Sequence, residues 1–241
     1  MKDQGFRRRD VSLAKIIFCQ SHLLDSFLSD FGKDVRARVL VCGNSDFDFI
    51  REPKEMPDSI QLCLFQNLGF RDKKYTALPI GIENLSLAVN GFPSFFRSAV
   101  GQDQKIQKVL IGPFSPTHVE RIRTEELQGI DKYCDYFKNR LNPKEYQKLL
   151  RQYQFVFCPR GNGIDTHRFW ETLYHGGIPV VMESEWAENI KVLGIPMVTL
   201  NEHSDFESQL NKIISKRTSF NPIDVRELWW PFWNEKINSY T

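Results

Sequence analysis

The sequence predicts an α/β fold built on two small parallel sheets. Three observations point there. Short Val/Ile/Leu/Phe runs recur along the chain, these runs are continuous instead of alternating with polar residues, and amphipathic stretches separate them. Continuous apolar runs suit strands covered on both faces, and strand–helix alternation supplies the crossovers that parallel pairing needs.

In the first half the candidate strands are Lys15–Cys19, Val35–Cys42, Ile60–Phe65 and Ala77–Ile82, with a helix over His22–Phe31 after the first. Asn90-Gly91-Phe92-Pro93 then punctuates the chain, and Gly101-Gln102-Asp103-Gln104 is polar and loop-like. A boundary is expected there, dividing an N-terminal unit (1–95) from a C-terminal one (105–220). The second half offers strands at Lys108–Ile111, Phe155–Cys158, Ile178–Met182 and Pro196–Leu200. Helices are expected at Asn142–Tyr153, Thr166–His175 and Ser204–Lys216. The tail, 221–241, carries Trp229, Trp230, Phe232 and Trp233 within five positions. It is expected to form a terminal helix that packs its aromatic face back across the other unit, kinked at Pro231. A sugar-stacking platform is the other reading.

Composition excludes several classes. With 41% hydrophobic and 26% charged residues, the 241-residue chain has the make-up of a globular protein. No apolar run approaches the roughly 20 residues needed to cross a bilayer. Arg7, Arg8 and Arg9 are followed at once by Asp10 and only a short apolar run, which does not make a signal peptide. A cytoplasmic protein is expected. A net charge of +2 lacks the basic footprint of a nucleic-acid binder. The arginine triplet leaves a peripheral contact with anionic lipid open beside the plain reading of a solvated terminus. Five cysteines (Cys19, Cys42, Cys63, Cys134, Cys158) form no CxxC pair and read as small buried hydrophobes, not as zinc ligands or disulfides.

The informative stretch runs from Phe155 to Val181: strand, glycine-bearing loop, helix, tight turn, strand. In an open α/β sheet, ligands bind beyond the carboxyl ends of the strands, which places Pro159–Asp165 on the crevice. Gly161 and Gly163 allow close backbone approach, with Asn162 between them. A helix starting near Thr166 would aim free N–H groups at an anion. Arg168, Glu171 and His175 fall at i, i+3 and i+7 on one helix face, opposite Phe169, Leu173 and Gly176. Arg168, with Arg160 in the loop, suits a diphosphate, and Glu171 suits ribose hydroxyls. The plain alternative makes Asp165 or Thr166 an N-cap and Arg168–Glu171 a surface pair. The residues alone support an anion or nucleotide site.

The pattern Pro159-Arg160-Gly161…Arg168…Glu171…Gly176-Gly177-Ile178-Pro179-Val180-Val181 resembles the signature region of exostosin-like glycosyltransferases. It is more loosely similar to the donor half of many GT-B enzymes, fucosyltransferases included. Two departures are Glu171-Thr172 in place of Glu-Ala, and Gly177 where the family usually has Cys. Weaker echoes lie in Gln66-Asn67, in Leu78-Pro79-Ile80-Gly81-Ile82-Glu83 and in Gly112-Pro113-Phe114-Ser115-Pro116-Thr117-His118…Arg121. The resemblance implies two Rossmann-like domains in a GT-B-like arrangement and a sugar transferred from a nucleotide sugar to a glycan or other hydroxyl acceptor. It also implies a donor-diphosphate contact at Arg121.

Such an enzyme needs no metal or cofactor if arginines and a helix N-terminus neutralise the leaving diphosphate. Asp46-Phe47-Asp48 has the spelling of a metal-binding DxD, but it follows a strand of the first unit, which points to acceptor contact. If the anomeric centre inverts, a base must take the acceptor proton. Asp46, Asp48 and Glu83 are the candidates, and the residues do not choose among them. The competing reading is a non-catalytic relative that binds a glycan or nucleotide without transfer.

Overall fold

A computed structural model describes residues 7–87, 89–96, 104–122, 130–216 and 221–241. The chain forms two parallel sheets. The first contains β1 (Ile16–Gln20), β2 (Val39–Gly43), β3 (Leu62–Phe65) and β4 (Tyr75–Ala77), in that spatial order. The second contains β5 (Ile106–Ile111), β6 (Cys134–Tyr136), β7 (Tyr153–Phe157), β8 (Ile178–Met182) and β9 (Val198–Leu200), ordered β6-β5-β7-β8-β9. The expected α/β class with two parallel sheets is what the chain adopts. Residues 97–103, within the expected boundary, lie outside the described residues.

Period-two patterning explains how each strand is covered twice. On the first sheet, Leu40, Cys42, Cys63 and Phe65 point to one core, shared with α2 (Leu24–Phe31). Their neighbours Val39, Leu62 and Leu64 point to the other face, where Trp233 meets them. On the second sheet Val109, Ile111, Phe155, Phe157 and Val180 face α7 (Phe206–Ser215) through Leu210. Leu110, Val156 and Val181 face the opposite way. There they join a core with α4 (Pro143–Gln152), α5 (His167–Tyr174) and α6 (Glu185–Val192) that runs on into the first sheet through Leu68 and Phe49. All five cysteines are buried and unpaired. Burial pushes the Cys19 thiol up to about 11 and Cys63 to about 12, as expected of small core hydrophobes.

Local chemistry starts the helices where the sequence signals them. Asn142 Oδ1 accepts from Glu145 N at 2.9 Å while the Glu145 carboxylate returns a bond to Asn142 N, and Pro143 fills the first turn. Ser184 caps α6 through Ala187 N at 3.1 Å, and Asp205 caps α7 through Ser208 N at 2.8 Å.

Two expectations need correction. The strand expected at Ala77–Ile82 ends at Ala77. Ile80 N and Gly81 O are claimed by side chains of the other half, described below, so this stretch cannot continue a ladder. Pro231 does not kink the terminal helix: it lies in the first turn of α8 (Trp230–Asn238), where its missing N–H costs nothing. The helix does pack back across the molecule. Tyr174 Oη on α5 donates to Leu228 O, Trp233 Nε1 donates to Glu227 O at 2.9 Å, and the Trp233 ring sits on the first sheet. Among the described residues no helix is long and apolar enough to cross a membrane. Arg8 pairs with Asp34 at 2.6 Å on the surface.

Trp233→Ala should lower the denaturation midpoint and cost about 3–5 kcal/mol, because it empties the contact between α8 and the first sheet. Urea unfolding followed by far-UV circular dichroism checks this.

Candidate functional site

The carboxyl ends of both sheets face one another, and the loops that leave them enclose a cleft of ≈ 990 Å³. The second sheet supplies Pro113–Thr117 after β5, Lys138 and Arg140 after β6, and Gly161–Gly163 and Asp165–Arg168 after β7. The first sheet supplies Asp46 after β2 and Ile80 after β4. This is the crevice position at which open α/β sheets bind ligands.

A polar seam holds the two sides together. The loop between β7 and α5 reaches over to the first sheet. Asp48 Oδ2 accepts from the Arg160 guanidinium, and its other oxygen accepts from Ile164 N at 2.9 Å. Asn162 Nδ2 donates to Asp46 Oδ2 at 3.2 Å. Asn67, 2% exposed and in a left-handed backbone conformation, accepts from Asp165 N at 2.9 Å and donates to Ser45 O at 3.0 Å. Asp165 answers by accepting from Ile80 N at 2.9 Å and from Trp170 Nε1 at 2.7 Å. His167 Nδ1 lies 2.8 Å from Gly81 O. Asn189 Nδ2 on α6 donates to Leu68 O and Phe70 O at 3.0 and 2.8 Å. Buried amides and carboxylates thus find their partners across the seam, where an unpaired one would cost about 1–3 kcal/mol.

Most of the expected donor residues gather in the cleft. Arg121, Gly161, Asn162, Gly163, Thr166, Arg168 and Glu171 line it, and so does Asp46. Arg160 does not: its guanidinium turns to Asp48 and away from the cleft. Asp48, expected as a candidate base, has both oxygens engaged by that loop. Glu83 lies off the cleft and accepts from Asn90 N, which closes its own loop. His175, expected on the polar face, is 3% exposed, bonds Gln147 at 2.7 Å and stacks on Phe96. Burial, with Arg151 and Lys105 nearby, pushes it down to about 3, so it is a neutral packing residue. Gly163 also serves the seam, since a Cβ there would meet Asn67 Oδ1 at 2.7 Å.

The remaining groups set the electrostatics. Arg168 Nη1 donates to Gly112 O at 3.1 Å, its other terminal nitrogen donates to Pro113 O, and its carbon centre sits 4.4 Å over the Phe114 ring. Arg121 Nε donates to Arg160 O at 2.9 Å; burial, then Arg168, depresses its guanidinium, which still stays charged. Glu171 is 2% exposed at the cleft floor. Burial raises its carboxyl against the pull of Arg168 and the Tyr146 hydroxyl. Asp165 is buried as well, and desolvation outweighs its N–H donors to push it up to about 7. Thr166 heads α5 without a side-chain capping bond.

Lys138, Arg140, Asp165 and His167 line the cleft without a site role assigned to them from the sequence. Lys138 and Arg140 follow β6, a three-residue strand too short to register as a periodic run. Asp165 and His167 sit inside the quoted segment, but only the fold brings β4 beside them. Among the described residues, no group of three His, Cys, Asp or Glu clusters as metal ligands would.

No family model matches the chain, and no curated protein does. Among solved structures it is similar to AviGT4, a glycosyltransferase involved in avilamycin A biosynthesis. The identity is 12% and the TM-score 0.46, over 92% of this chain and 77% of that one. It is also similar to the glycotransferase of kitacinnamycin at 12% identity and TM-score 0.35, over 91% of this chain and 58% of that one. At such identities the likeness carries no donor, acceptor or residue role from one protein to the other. The exostosin-like resemblance rests on the sequence pattern alone.

Asp48→Ala should leave Ile164 N–H and the Arg160 guanidinium without their acceptor and destabilise the chain by about 2 kcal/mol. A double-mutant cycle with Arg160→Ala, read by denaturant unfolding, should return a favourable coupling. Asp165 yields a pH prediction. Its carboxyl titrates near 3.8 when unfolded and about 7 when folded, so its contribution is complete below 3.8 and is lost as pH rises to about 7. Melting temperatures between those limits should fall less steeply in Asp165→Asn than in the parent.

Proposed function

We propose that the protein is a glycosyltransferase that moves a sugar from a nucleotide-sugar donor to a hydroxyl acceptor of glycan type, in polysaccharide or glycoconjugate synthesis. The carrying observation is the charge distribution of the cleft. Arg121, Lys138, Arg140 and Arg168 all line it from the second sheet's side, where the loop 159–165 and the head of α5 also lie. Four cations around a loop–helix junction suit a leaving nucleoside diphosphate. They can neutralise the developing charge as the sugar–phosphate bond breaks, so the reading needs no metal. Arg168 is held under the loop after β5 by carbonyl acceptors and aromatic faces, which makes it a pre-set charge. Lys138 and Arg140 are exposed and line the cleft from the β6 side, where they would meet the ligand. The acceptor would enter from the first sheet's side, past Asp46.

The engagement of Asp48 and Glu83 favours a second reading, a relative that binds nucleotide sugars without transferring them. A panel of UDP-, GDP- and CMP-sugars separates the two. One nucleotide class should raise the melting temperature of the parent, and free nucleotide should then appear over time only when acceptor glycan is present. The exposed double variant Lys138→Ala/Arg140→Ala should melt like the parent without ligand, yet bind the donor at least about tenfold more weakly. Binding without acceptor-dependent release supports the second reading, and no binding at all rules out both.

A further inference from the structure

We propose that His167 is the catalytic base that takes the proton from the acceptor hydroxyl, and this rests on the transferase reading above. The imidazole stands at the first residue of α5, half-buried on the wall of the cleft. Its Nδ1 lies 2.8 Å from Gly81 O. A carbonyl oxygen only accepts, so Nδ1 carries the proton and the neutral ring keeps its lone pair on Nε2. Among the described residues Nε2 has no hydrogen-bond partner. Gly81 belongs to the loop after β4, in a positive-φ turn (φ 69°) with open space where a Cβ would be. The first sheet therefore fixes the tautomer of a histidine carried by the second, as an orienting group does for a general base.

The other candidates are already committed. Asp48 and Asp165 each accept N–H donors on both oxygens. Glu83 closes its own loop, and Glu171 is buried on the cleft floor. His175 is held in the core by Gln147. Among the described residues Asp46 is the one rival, since Asn162 occupies only one of its oxygens at the cleft.

In the step this implies, the acceptor O–H proton passes to His167 Nε2 while the acceptor oxygen bonds to the anomeric carbon. The bond from that carbon to the diphosphate oxygen breaks, and the nucleoside diphosphate leaves with the electron pair among the cations. The displacement is in line and inverts the anomeric centre. The imidazolium that forms keeps Gly81 O on Nδ1–H and has Glu171 one turn along the same helix face, at i+4. Its proton then returns to solvent.

The test is His167→Asn, whose side-chain amide can still donate to Gly81 O but offers no base at the Nε2 position. With donor and acceptor from the panel above, it should melt and bind donor like the parent, with KM for acceptor near the parent's. Its kcat should fall about 10²–10⁴-fold. Imidazole in the buffer should restore part of the rate to His167→Gly, which covers the case of an Asn variant that folds poorly. If Asp46 were the base instead, the fall of about 10²–10⁴-fold in kcat would appear in Asp46→Asn and not in His167→Asn. The product should carry the anomeric configuration opposite to the donor's. The proposal is overturned, with the transferase reading intact, by any of three results: a His167→Asn kcat within a few-fold of the parent, a product with the donor's configuration, or no rescue by imidazole in a folded, donor-binding His167→Gly. A parent that binds donors but transfers to no acceptor overturns both.

Discussion

The loop between β7 and α5 is tied to the opposite sheet by hydrogen bonds that its own backbone cannot replace, and the cleft exists because of this tie. Ile164 N and Asp165 N have side-chain acceptors on the far side, Asp48 and Asn67, and Ile80 N has the Asp165 carboxylate in return. Each of these groups is wholly or partly withdrawn from water, so separating the sheets would strand several donors together. Other features follow from that constraint. Residue 163 has to be glycine for the Asn67 amide to fit, and Asn67 adopts a left-handed backbone at a turn that asparagine tolerates. The ladder does not run on past Leu78, because Ile80 N and Gly81 O serve the seam.

The same tie sorts the charges of the cleft. Arg160 and Asp48 neutralise each other within the seam and leave the ligand space. Arg121, Arg168, Lys138 and Arg140 remain on the second sheet's side, while Asp46 approaches from the first. Asp165 and Glu171 sit deep enough that burial raises both carboxyls, which tempers negative charge beneath an anion site. A cationic wall over a weakly anionic floor suits a phosphate-bearing ligand, and this is the physical content of the proposed donor site.

Much of this site was legible residue by residue. The strand–loop–helix order of Phe155–Val181 and the cleft-lining positions of Gly161, Asn162, Thr166, Arg168 and Glu171 follow from local periodicity and turn chemistry, and so does the placement of the loop at a strand's carboxyl end. Arg160 was not legible, because its partner lies 112 residues away in sequence. Asp48 and His175 were not, because a polar residue on a helix face or after a strand looks the same whether it meets solvent, ligand or another part of the chain. Lys138 and Arg140 were hidden by the brevity of β6, and His167 by the absence of any sequence link to Gly81.

The sequence by itself determined the α/β class and the two runs of parallel strands. It also determined the identity of the loop that faces the crevice. These are local outcomes, set by apolar periodicity and the conformational range of glycine within a few residues. Only the tertiary structure decided which polar groups are free to act. Pairing across the seam depends on contacts between residues far apart in the chain, and it removed Arg160 and Asp48 from the cleft, while a bond within its own loop holds Glu83 off it. Packing within the second half turned His175 into core against Gln147 and Phe96, and packing between the sheets set His167 against Gly81, because a polar atom withdrawn from water takes whichever partner the fold brings within reach.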